Sequence, residues 1–162
     1  MAKYVLNTAA IEEDFFSGSR LLAIGCPLPG YQLCWWLNQL FALQFKRDLE
    51  LDICVARSKG NMNNAGTLFQ ETERFSEESY YFPVYRHDLS YFDASLFLYG
   101  NRAGAKRLLP EWKHADFLLL IQYADFWDQE NHRQPDFTKN PQISWIREVD
   151  LDLLKSKRNL IV

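Results

Sequence analysis

The chain has 162 residues, enough for one domain with a sizeable buried core. It is 48% hydrophobic and 24% charged with only 7 Gly and 6 Pro, which excludes collagen-like, low-complexity and globally disordered chains. A net charge of −3 supplies no overall field that would draw nucleic acid or an anionic membrane.

Residues 4–6 are short and extended in character, and the acidic Glu12, Glu13 and Asp14 follow. The start lacks the basic stretch, apolar run and cleavage site of a secretory leader. No apolar run exceeds that of 117–121, far below the ~18 residues needed to cross a bilayer. A cytoplasmic protein without membrane contact is expected. The apolar run 21–24, ended by Gly25, predicts a strand, and two prolines and a glycine in 26–30 predict a turn.

A helix is predicted over 31–43. Leu33, Trp36, Leu37, Leu40 and Phe41 fall on one stripe at helical spacing. Tyr31, Cys34, Trp35, Asn38 and Ala42 form a second, half-polar face. A helix apolar on two sides lies between layers or at an interface, so Trp35 asks for a cover. A second layer of the same domain would supply one; a subunit or partner contact is the other answer, since Trp and Tyr are enriched at interface cores.

From Gln44 the period turns to two, which predicts one strand or two with a break before 53–55. Residues 58–66 are a loop, 67–71 resume strand character, and 73–78 form a charged turn. Tyr80 to Tyr85 is strand-like, but Pro83 donates no hydrogen bond and fits an edge or strand end. Residues 91–99 form an aromatic strand candidate, and an antiparallel meander fits this spacing. The unbroken apolar segment 115–121 predicts a central strand covered on both faces. Residues 125–140 are polar with room for a short helix, which would make a β-α-β crossover to a last strand at 143–149. Asp150 can cap a short C-terminal helix over 151–157, with Leu153 and Leu154 facing in and Lys155, Lys157 and Arg158 at its dipole end.

Together these elements predict a single α+β domain over 1–162. Its antiparallel or mixed sheet has five to seven strands, packed by the main helix and short C-terminal helices. An aromatic content of 15% suits a sheet-rich core, with any surplus ring free for a partner.

At 109–117 the sequence reads Leu-Pro-Glu-Trp-Lys-His-Ala-Asp-Phe, which resembles the signature of the bacterial IPExxxVDY family. Pro110, Glu111 and Asp116 match the signature, while Leu109, Ala115 and Phe117 stand for its Ile, Val and Tyr. Residues 30–35 resemble the family's tyrosine-x-leucine-cysteine-tryptophan helix start, and 154–160 resemble its leucine-lysine-serine-lysine ending. The resemblance implies a small single-domain bacterial protein with no assigned activity, ligand or catalytic residue.

Cys26, Cys34 and Cys54 form no close pair and no zinc knuckle, so they are expected to be reduced and structural. Glu111, His114 and Asp116 are the candidates for acid–base catalysis. A working pair needs carboxylates close together in unlike environments, facing one cleft. His87, His114 and His132 show no metal-ligand spacing, and Ser144 and Ser156 lack a nucleophile-elbow setting. No Walker loop or dinucleotide fingerprint occurs, so no metal or cofactor is expected. Arg102, Lys106 and Arg107, beside Tyr99 and Trp112, are the candidate contact for single-stranded nucleic acid or RNA.

Three functional expectations follow in order. The first is a non-enzymatic interaction module through Tyr31, Trp35 and Asn38, as a homodimer or with another protein. The alternative is an enzyme of unknown class built on Glu111, His114 and Asp116. The third is weak nucleic-acid binding, disfavoured by the net negative charge.

Overall fold

The computed structural model describes residues 8–57, 78–90, 93–125 and 140–162. In chain order the elements are α1 (Thr8–Phe16), β1 (Arg20–Gly25), α2 (Gly30–Phe41), β2 (Lys46–Arg47), β3 (Ile53–Arg57) and β4 (Glu78–Phe82). Then come β5 (Val84–Asp88), β6 (Ser95–Gly100), β7 (Arg102–Ala103), β8 (Lys106–Arg107), β9 (Phe117–Ile121) and β10 (Trp145–Val149). Among the described residues, short 3-10 turns lie at Pro110–Trp112, Leu151–Leu153 and Lys157–Leu160.

One six-stranded sheet runs in the order β10-β1-β9-β6-β5-β2, and every pairing in it is antiparallel. Two ribbons, β3–β4 and β7–β8, stand apart from it. This is the expected α+β fold, a single domain with its strand count inside the predicted range and α2 as the main helix.

The β9 strand is buried at all its positions, as its unbroken apolar run predicts. Alternate residues feed two cores. Phe117, Leu119 and Ile121 face the core that α2 covers. Leu118 and Leu120 face a second core closed by the 108–115 connector, the C-terminal tail and the Phe15 and Phe16 rings of α1. Each such Leu or Ile stabilises by about 1.5–3 kcal/mol when fully buried. Because β9 and β10 both pair antiparallel with β1, they run parallel to each other and their connection crosses β1. The helix expected in that crossover and His132 lie outside the described residues, as do the loop at 58–66, the strand at 67–71 and most of the turn at 73–78.

Pro83 splits what would be one long strand into β4 and β5. The carbonyl of Pro83 accepts the Gly100 amide at 2.8 Å, and a Cβ on Gly100 would collide with the proline ring. The segment after α2 is two strands with a break: Asp48 Oδ1 accepts the Glu50 amide and turns the chain between β2 and β3.

Several local expectations need correction. The buried face of α2 is Leu33, Cys34 and Leu37, whereas Leu40 is 41% exposed. The chain reverses after Ala42, which sits in the left-handed region at φ 52°, and Leu43 and Phe45 fill the core at the helix end. No helix was expected at 8–16. Its anchors are distant in sequence: Glu12 pairs with Lys157 at 3.4 Å and Arg158 at 2.7 Å, and Phe15 packs on Phe97. Asp150 does cap, accepting the Asp152 amide, but over two 3-10 turns in place of one helix, so Leu154 is buried while Leu153 is 78% exposed. Cys54 is exposed on the ribbon, not packed as a small hydrophobe.

Candidate functional site

The signature segment 109–117 leaves the β7–β8 hairpin and returns to the sheet as β9. Asn101, fully buried, organises it. Its Nδ2 donates to the carbonyls of Trp112 at 2.9 Å and Ala115 at 3.0 Å, and its Oδ1 accepts the Leu109 amide at 2.8 Å. Its main chain bonds Asp116 and Leu108. Every polar group of this buried amide side chain is engaged, as burial requires. No sequence pattern marks it, because Gly-Asn-Arg reads as an ordinary turn.

Glu111 is held by the tail. Its Oε1 accepts the amides of Lys155 at 3.1 Å and Ser156 at 2.9 Å. Partial burial pushes the carboxyl up, yet these bonds and that of its own amide outweigh this and hold it below the usual carboxylate range. Asp116 works at the other end of the segment. Its Oδ2 accepts the Cys26 amide at 2.9 Å, and its Oδ1 faces Arg102 Nε at 3.1 Å.

The structure therefore separates the candidate acid–base pair. Glu111 and His114 line a cleft with Trp112, Trp145 and Arg147. Asp116 lines another with Cys26, Arg102 and Phe117, at the end of the sheet where α2 begins. Both carboxylates accept bonds from backbone amides, the role of groups that fix chain geometry.

The cationic candidates are also engaged within the chain. Arg102 pairs with Asp116. Arg107 donates from Nε to the Lys113 carbonyl at 3.0 Å, and Lys106 stands 6.0 Å from the centroid of the Tyr80 ring. All three lie on the β7–β8 hairpin, where Arg102 faces Arg107 across the ladder.

On α2, Tyr31 is 65% and Trp35 is 55% exposed, one turn apart on the outer face. The Trp35 ring meets Trp36 edge-on at 5.0 Å. Asn38 is occupied: its Oδ1 accepts the Phe45 amide at 2.7 Å, and its Nδ2 donates to the Phe45 carbonyl at 3.2 Å. It fastens the chain reversal after the helix, which leaves Tyr31 and Trp35 to form the outer patch.

Burial pushes the Cys34 thiol up to about 12, and burial, partly offset by a bond to the Leu28 main chain and helped by the Asp116 charge, raises that of Cys26, so both favour the protonated thiol. Among the described residues, no three His, Cys, Asp or Glu side chains gather as metal ligands, and no helix is long and apolar enough to cross a membrane. The chain is an α+β protein with an exposed aromatic patch on its main helix. No protein-family model, curated protein or solved structure matches it.

Proposed function

We propose that the chain is a non-enzymatic interaction module of the bacterial cytoplasm, a homo-oligomer or a subunit of a larger assembly, and a member of the IPExxxVDY family. The observation that carries this reading is the exposure of Tyr31 and Trp35 side by side on α2. A tryptophan left more than half in water forgoes much of its burial energy, and Trp and Tyr are the side chains that most often anchor interface cores. The same helix packs Leu33, Cys34 and Leu37 inward, so it is a rigid platform for the outer pair.

The chemistry candidates support the same reading. Glu111, Asp116 and Asn101 spend their polar atoms on the connector and the tail, and the three cations of the β7–β8 hairpin are engaged within the chain. The experiment is a measurement of assembly state by sedimentation, with and without a charge placed at Trp35. A contact through this face predicts an assembled wild type and a dissociated variant.

A further inference from the structure

The cleft lined by Glu111, Trp112, His114, Trp145 and Arg147 has a volume of about 440 Å³, within the range of small-molecule sites. Its walls come from parts of the chain that the fold holds fixed. Along β10, Trp145, Arg147 and Val149 alternate onto the face that carries the connector, and Val149 is buried there. Opposite them on β1 stand Gly25, paired with Trp145, and Ala23, paired with Arg147. These small residues admit the large side chains of β10 above the sheet. The Trp145 indole lies directly against Gly25, where any Cβ would overlap its ring. The facing wall, Trp112 to His114, is fixed by the Asn101 bond to the Trp112 carbonyl and by the grip of the tail on Glu111.

The side chains offer a consistent chemistry. Two half-buried indoles give flat apolar faces suited to stacking a planar ring. The Arg147 guanidinium lies over the Trp145 ring, 5.9 Å from its centroid, so the cation and the indole share one end of the cleft. His114 adds an exposed imidazole. Among the described residues, Glu111 is the carboxylate in the lining, and one of its oxygens is already occupied by two backbone amides. We propose that this cleft binds a small planar aromatic anion, its ring packed against the Trp112 and Trp145 indoles and its carboxylate or phosphate on Arg147. This site is separate from the α2 face and does not depend on the interaction reading.

The test is a titration of the full chain followed by the indole N–H resonances in heteronuclear NMR spectra, each assigned by Trp→Phe substitution. Naphthalene carboxylate is the probe and the neutral naphthalene carboxamide its control. The expected result is saturable, coupled shifts of the Trp112 and Trp145 signals with a Kd below about 1 mM, and about tenfold weaker binding of the amide. Arg147→Gln should erase that preference by weakening the acid far more than the amide. Arg147 is exposed, so this variant folds, which the dispersion of its spectrum verifies. No saturable shift by about 5 mM, equal binding of acid and amide, or an unchanged preference in Arg147→Gln overturns the proposal.

Discussion

Asn101 holds Leu109 in place across an eight-residue gap: the side-chain oxygen accepts the Leu109 amide at 2.8 Å inside the second core. The same amide side chain closes the connector by donating to two of its carbonyls. Replacing it with alanine strips one buried N–H and two carbonyls of a partner and opens a cavity. Asn101→Ala should therefore cost about 2–4 kcal/mol, read as a lower urea midpoint with an unchanged slope. A loss below about 0.5 kcal/mol would show that the connector does not depend on this residue.

The two carboxylates of the signature segment act on the backbone. Glu111→Ala frees the tail at Lys155 and Ser156, and Asp116→Ala frees the loop at Cys26 and the Arg102 guanidinium. Each should lower stability by about 1–2 kcal/mol, whereas Glu111→Gln, which keeps an acceptor oxygen, should lose less. Full stability in both alanine variants would return these groups to the list of candidate catalysts.

His87 makes stability depend on pH. Burial, only partly offset by the Asp88 charge, lowers its pKa, and its Nδ1 accepts the Gln44 amide at 3.1 Å as only a neutral imidazole can. The unfolded chain therefore binds the proton more readily than the folded one. The contribution is complete above the ordinary value of 6.5 and is lost as pH falls from there through the lower folded value. Urea midpoints of wild type should fall across that window, and His87→Gln should show a shallower fall. An equal slope in the two proteins would remove His87 from the account.

Sequence pattern reached the parts of this fold that local physics decides. An unbroken apolar run made β9 a central strand, and helical spacing with a Pro-Gly entry made α2. It placed Pro83 at a strand end because a missing donor cannot sit inside a ladder. It missed what distant contacts decide. The α1 helix is pinned by Lys157 and Arg158 from the far end of the chain. The inward turn of Cys34 and outward turn of Leu40 follow from Leu43 and Phe45, which the chain reversal brings under the helix end.

The same limit governs the sites. Tyr31 and Trp35 were legible because one helix carries both. Asn38 shares their face by spacing, but its side chain is taken by Phe45. Glu111 and Asp116 look paired in a linear reading, yet the connector sends them to separate clefts. Trp112 and Trp145 line one cleft because β10 returns beside β1. The alternation of Trp145, Arg147 and Val149 along β10 is a local signal that could have placed Trp145 and Arg147 on one face.

Trp35 is the anchor of the α2 face, and sedimentation of the untagged chain in a native extract of the cells that make it, beside Trp35→Glu, tests that role. Wild type should sediment as a species larger than the 19.1 kDa monomer. Trp35→Glu should sediment as the monomer, with stability within about 0.5 kcal/mol of wild type because the ring is exposed in the isolated chain. A wild-type chain at the monomer mass, or a Trp35→Glu chain that keeps the wild-type assembly, would contradict it.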